Sequence, residues 1–175
     1  MSDNKTALVV IDAQVNMSDP DYPCYDARGV IGKLRTLIDK AHAADVPVIY
    51  IQNNGPEGEV DYPHTPGWEI DPEVAPAPGD TIIEKTTPDS FHETSLGEKL
   101  AAGGIKDLVI AGFQTDWCVQ TTTRQAVNFG YNVTLVKDAH STLDGKTRMA
   151  SEIIAETNAE LGEIATLKEA SQVSF

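Results

Sequence analysis

The run Thr6–Ile11 (TALVVI) is an unbroken stretch of apolar and β-branched residues with no in–out alternation. A strand of that kind has to be covered on both faces, which commits a chain to a buried parallel sheet with helices packed on it. The pattern then repeats. Arg28–Ala44 has helical spacing, with Val30, Ile31, Leu34, Leu37, Ile38 and Ala41 on one stripe. Val46–Ile51 (VPVIYI) reads as a second strand, with Pro47 at its start, where a missing donor is tolerable. Thr81–Glu84 reads as a short strand ending at Lys85, and Ser95 with Glu98 resembles a capping box opening a helix to Ala102. Asp107–Phe113 is the most apolar strand. A helix is predicted from Asp116 or Trp117 to Phe129, stopped by Gly130. A strand at Asn132–Val136, a helix at Thr147–Leu161 and a weak strand at Glu163–Leu167 complete the series. Alternating strands and helices of this kind predict an α/β fold: a three-layer α/β/α domain around a mostly parallel sheet of about six strands, spanning residues 1–175.

One segment breaks the alternation. Residues 53–80 hold six Pro and four Gly among acidic and aromatic residues, so no regular element is expected there. Loops of that length in a compact domain are functional or disordered.

Composition narrows the partners. Thirteen Lys+Arg against 27 Asp+Glu give a net charge of -14. Such a surface repels phosphate backbones and anionic lipids, so nucleic acid and membrane are not expected as partners. The longest apolar runs, Ala7–Ile11 and Leu108–Phe113, are far shorter than the roughly 20 residues of a membrane span. Met1–Thr6 is polar and has neither the basic nor the apolar region of a secretion signal. Two cysteines, Cys24 and Cys118, cannot form a disulfide framework, and a cytoplasmic location is the expectation.

In open parallel sheets, ligands bind beyond the carboxyl ends of the strands, so the residue past each strand carries most information. Asp12 follows the first strand and Lys85 the short third one. Gln114-Thr115-Asp116-Trp117-Cys118 follows the 107–113 strand, and Lys137-Asp138-Ala139-His140 follows the 132–136 strand. An acid, a base and a thiol therefore converge on one rim. Cys118 falls in the first turn of its helix, where free N–H groups and the helix dipole lower a thiol pKa. Each residue also has a plainer reading: Cys118 as a small buried filler, Asp12 as a cap, Lys85 as a solvated lysine. His140 reads as a general base or as a buried histidine supporting its loop. Asp138 reads as structural, and Cys24, in DPDYPCYD, as incidental. Trp117, Trp68, Phe91, Met17 and Tyr22 are candidates for an aromatic and apolar lid over a small planar substrate, or for core and interface packing. Gln14 and Asn16 either orient substrate or bond within the loop, Gln14 leaning to the latter. An acidic lid at Glu57, Glu59 and Asp61 is compatible with steering of a cationic substrate or with a solvated charge run. No Gly-rich turn follows the first strand, which speaks against a dinucleotide site.

The segments VVIDAQ (9–14), GDTIIEK (79–85), Asp89-Ser90-Phe91, AGFQTDWCVQTTTRQA (111–126) and GYNVTLVKDAHST (130–142) agree in order and spacing with one family. The chain resembles the isochorismatase-like cysteine hydrolases over nearly its whole length, nearest to the branch that includes streptothricin hydrolase. The resemblance implies a sheet order of 3-2-1-4-5-6 and a catalytic triad of Asp12, Lys85 and Cys118. It also implies a cis peptide joining Phe113 to Gln114, with the N–H groups of Gln114 and Cys118 as an oxyanion hole, and a homo-oligomer, dimer or tetramer. The nicotinamidase branch carries an Asp-x-His pair and a further His for a metal. Here that region reads Gln52-Asn53-Asn54-Gly55, with His64 the one nearby histidine, so no metal or other cofactor is expected. The resemblance thus implies a metal-independent amidase. It would cleave a small non-peptide C–N bond (amide, lactam or carbamoyl) through a Cys118 thioester. The alternative is a non-catalytic or redox-sensing thiol protein on the same fold, with Cys24 as resolving thiol.

Overall fold

The computed structural model describes residues 5–175, so the polar start of the chain lies outside the described residues up to residue 4. Six strands, β1 (Lys5–Ile11), β2 (Val48–Asn53), β3 (Thr81–Lys85), β4 (Ile105–Phe113), β5 (Asn132–Ser141) and β6 (Thr166–Lys168), form one sheet in the order β3-β2-β1-β4-β5-β6. Every pairing is parallel. The helices α1 (Ala27–Ala43), α2 (Leu96–Ala102), α3 (Gln120–Asn128) and α4 (Ala150–Leu161) supply four of the five crossovers, and the loop between β2 and β3 makes the other.

The continuous apolar strands have the double cover their sequence demands. Leu8 and Val10 of β1 pack in a cluster with Val30, Ile31, Leu34, Leu37 and Ile38 of α1. Ala7, Val9 and Ile11, pointing the other way, join a second cluster with Leu96 and Leu100 of α2, Ala126 of α3 and Leu161 of α4. The expected stripe of α1 is buried residue for residue, with Ala27 added. Each fully buried leucine or isoleucine there contributes about 1.5–3 kcal/mol by leaving water.

Several boundaries differ from the sequence expectation, each for a local reason. Ser95 stands at the N-cap of α2 but makes no capping bond, because its backbone is not extended and does not aim the hydroxyl at the turn. The start of α4 moves from 147 to Ala150, whose N–H is held by Asp144 Oδ1 at 2.7 Å. The loop 53–80 contains one short 3-10 turn, Pro72–Val74, fixed by Asp71 accepting from the Glu73 N–H. β5 runs past Val136 to Ser141. From Ile110↔Leu135 to Gly112↔His140 the register slips, two steps along β4 against five along β5, and the extra residues bulge out before His140 returns to the sheet. The predicted helix after β4 is split: Thr115–Val119 is a π-helical turn, closed by the Val119 N–H on the Gln114 carbonyl at 3.1 Å, and α3 begins only at Gln120.

The strand order reverses between β1 and β4, which lie side by side at the centre. The crevice expected at such a switch point opens between Asp12 and Gln114. Gly112 makes the close approach possible: at φ +129°, a Cβ there would overlap the Ile11 carbonyl oxygen.

Candidate active site

Three strands deliver one residue each to the floor of this crevice. Asp12 follows β1 in the left-handed region, at φ +47°, a conformation that costs a non-glycine residue energy and recurs at functional sites. Lys85 ends the edge strand β3 and reaches across β2 toward the centre. Its Nζ lies 3.0 Å from Asp12 Oδ2, 2.9 Å from Asn53 Oδ1 and 3.2 Å from Cys118 Sγ. An ammonium has three N–H donors, and all three are engaged. The side chain is 0% exposed and that of Asp12 1%. The structure thus brings Asp12, Lys85 and Cys118 together, at ion-pair and hydrogen-bond distance.

Burial raises the Asp12 pKa against the opposing charge of Lys85 and a hydrogen bond with Cys118. Burial also works against the Lys85 ammonium, but Asp12 and Cys118 beside it outweigh that, and its pKa sits above the ordinary value. The Cys118 thiol is pushed up to about 12 by burial and by the Asp12 carboxylate, with Lys85 pulling the other way. This runs against the expectation of a thiol pKa lowered by a helix start. Cys118 sits in a π turn ahead of α3, half-buried beside a carboxylate. The raised pKa favours the thiol over the thiolate, and among the described residues Asp12 Oδ1 makes no hydrogen bond.

Above the three side chains lies a cleft of about 300 Å³, lined by Asn16, Met17, Asn53, Asp61, Thr87 and Trp117, with Gln114 and Cys118 at its base. A second chamber of about 260 Å³ shares Asn16, Met17, Asp61 and Gln114 with it and adds Tyr22, Glu59 and Leu143. Among the described residues, neither set of lining residues includes a Lys, Arg or His. Met17 and Trp117, expected to line the pocket, do so, Trp117 at 59% exposure on the rim.

Trp68 and Phe91 do not line it. Trp68 is a strut of the 53–80 loop: its indole N–H donates to Asn54 Oδ1 at 2.7 Å, its ring meets His64 edge-on, and its carbonyl accepts from Gln14 and Gln52. Phe91 packs against Phe129 and Tyr131 below α3. Gln14 is structural as expected, its amide bonding both the N–H and the carbonyl of Asn53. Cys24 is 3% exposed, with its thiol pushed up to about 12 by burial and Asp116, and lies 4.0 Å from Met17 Sδ. Asp138 pairs with Lys33 and accepts from the Ala170 N–H. His140 lies behind the Cys118 turn, bonded to Thr115 and Asn158. The peptide joining Phe113 to Gln114 is cis.

Asn53 is the site residue that sequence reasoning missed. It accepts from Lys85 through Oδ1 and donates to Asp61 Oδ2 at 2.7 Å through Nδ2, linking the buried lysine to the cleft wall. The signal was its place at the carboxyl end of β2, one strand from Asp12. Among the described residues, no group of three or more His, Cys, Asp or Glu is placed to hold a metal ion. Nor, among them, is any helix long and apolar enough to cross a membrane.

A 3-2-1-4-5-6 parallel sheet with a cysteine, a lysine and an aspartate meeting at its switch point defines an α/β protein with a thiol-centred site. The chain belongs to the isochorismatase family: residues 6–169 match the isochorismatase domain. It is 38% identical to a streptothricin hydrolase of Streptomyces noursei, over 79% of this chain and 50% of that protein. It is 30% identical to the ureidoacrylate amidohydrolase RutB of Agrobacterium fabrum, over 78% of this chain and 75% of that one. The chain thus spans about half the length of the streptothricin hydrolases it matches. A solved isochorismatase-family structure from Chromobacterium violaceum superposes with a TM-score of 0.90 at 32% identity, covering 98% of this chain and 92% of that one.

Proposed function

We propose that the chain is a cysteine amidase that cleaves a small non-peptide C–N bond without a metal. The observation that carries this reading is the single ammonium of Lys85, held at once by Asp12 and Cys118 at the bottom of an open cleft. A buried lysine so placed is not a solvated surface group; it fixes two reactive side chains against each other.

Asp12 takes the Cys118 S–H proton, and Lys85 stabilises the thiolate formed. The sulfur attacks the carbonyl carbon, and the oxyanion rests on the N–H groups of Gln114 and Cys118. The carbonyl re-forms as the C–N bond breaks, the proton on Asp12 passes to the departing nitrogen, and a thioester remains on Cys118. Water attacks the thioester, giving its proton to Asp12. Acid leaves, and the proton returns to sulfur. Lys85, with all three N–H groups engaged, acts by charge and position and gives up no proton.

The named amidohydrolase relative supports amide chemistry. The walls refine the substrate: with Asp61 and Glu59 in the cleft and no cationic lining residue, an uncharged or cationic amide fits better than one bearing a carboxylate. The rival reading, a redox sensor with Cys24 as resolving thiol, has against it the burial and raised pKa of Cys24. The test is release of ammonia or amine across a panel of primary amides, lactams and carbamoyl compounds, each with and without a carboxylate. Turnover of a neutral or cationic member that vanishes in Cys118→Ser supports the reading. A panel without turnover, or turnover that survives the substitution, contradicts it.

A further inference from the structure

His140 takes no part in the proposed chemistry, yet it is 2% exposed and every polar atom of its ring is used. Nε2 lies 2.9 Å from Asn158 Oδ1, and Nδ1 lies 2.8 Å from Thr115 Oγ1. The orientation of the Asn158 amide is set by its other contact, Nδ2 donating to the Lys137 carbonyl at 2.9 Å; the reversed amide would set two oxygens against each other. Asn158 therefore presents an acceptor to the ring, and Nε2 carries the proton. Burial lowers the His140 pKa against the Asn158 bond and the charge of Asp138, so the ring is neutral and Nδ1 holds a lone pair. The Thr115 hydroxyl must then be the donor. Thr115, itself fully buried, is the first residue of the π turn that carries Cys118. The next residue, Asp116, is held from the same end of β5 by the Thr142 hydroxyl at 2.6 Å.

We propose that His140 is a positioning residue. As the Nε2–H tautomer it accepts the Thr115 hydroxyl and so fixes the turn that sets Cys118 Sγ against Lys85 and Asp12. The register slip in β5 is what returns His140 to this place opposite Gly112. The inference rests on the reading of Cys118 as the nucleophile.

Three variants test it. His140→Gln keeps a donor toward Asn158 and removes the acceptor for Thr115; His140→Asn places an amide oxygen near the former Nδ1; Thr115→Val removes the hydroxyl. Expected is a kcat loss of about ten- to a hundredfold in His140→Gln and Thr115→Val with KM nearly unchanged, no further loss in the double variant, and partial recovery in His140→Asn. A purely structural histidine would lower the melting temperature of both His140 variants and leave the kcat of the folded fraction alone. The pH profile of Cys118 alkylation by iodoacetamide needs no substrate. It should shift equally in His140→Gln, Thr115→Val and the double variant. Unchanged profiles, or shifts that add in the double variant, overturn the proposal. Absence of amide turnover in the parent protein, by contrast, counts against the amidase reading alone.

Discussion

Asp12 acts on Cys118 in two opposing ways, and a single substitution separates them. Its carboxylate helps push the thiol up to about 12, and in the proposed mechanism it is also the base that removes the thiol proton when substrate is bound. Below that pKa the thiolate fraction rises about tenfold per pH unit, so alkylation of the parent protein should be slow at neutral pH and climb steadily. In Asp12→Asn the negative charge is gone while Lys85 remains, so the pKa falls and alkylation at pH 7 should become faster. Amide turnover in the same variant should fall by about a thousandfold or more, because the base is lost. Alkylation and turnover moving in the same direction would contradict the assignment. Lys85→Met leaves the Asp12 carboxylate buried without its partner and should cost about 3–5 kcal/mol on denaturant unfolding; a cost below about 1 kcal/mol would show that the pair is not held as described. Much of this was legible in the residues at or just past the ends of β1, β3 and β4. Asn53 was not, because the strand read at Val46–Ile51 stops two residues short of it and a neutral amide carries no acid–base signal. The place of Trp68 was also hidden, since an aromatic in a Pro-rich loop carries no signal of which way it turns.

The strands and α1 were readable because burial on two faces, or on one stripe, leaves a pattern in the residues themselves. The π turn and the β5 slip leave none. Residues 115–119 have the composition of any helix start, and what makes the turn wide is one choice of donor, Val119 on the Gln114 carbonyl. Likewise Lys137-Asp138-Ala139-His140 reads as a strand's end. The chain rejoins the sheet there, where Asn158 donates to the Lys137 carbonyl and Asp138 accepts from the Ala170 N–H, contacts made with α4 and the C-terminal turn 170–172. Both irregularities sit at the β4 and β5 ends that flank Cys118. Gly112 is the element-scale test. An added Cβ would meet the backbone of β1 at a φ that L-residues avoid, so Gly112→Ala should destabilise the protein by at least about 3 kcal/mol and open the gap between Asp12 and Gln114. A loss below about 1 kcal/mol would mean the two central strands are not packed this closely.

At the scale of the molecule, a net charge of -14 surrounds a site whose lysine, Lys85, is spent inside it. The two-chambered cleft is walled by acids and rimmed by Trp117, and the metal-independent reading leaves hydrolysis to the three side chains alone. Exhaustive dialysis against a chelator should therefore leave turnover unchanged, and a loss restored by added zinc would contradict the reading. The homo-oligomer implied by family resemblance is tested separately by light scattering, which should return two or four times the chain mass rather than one. Whether a covalent bond forms between substrate and sulfur is decided by intact-mass spectrometry on acid-quenched protein, sampled within the first turnovers of an amide found active in the panel. The reading predicts a mass increase equal to the acyl part of that amide, located on Cys118, released by neutral hydroxylamine and absent in Cys118→Ala. Turnover at full rate with no such adduct, and persisting in Cys118→Ala, would show that the thiol is not the nucleophile.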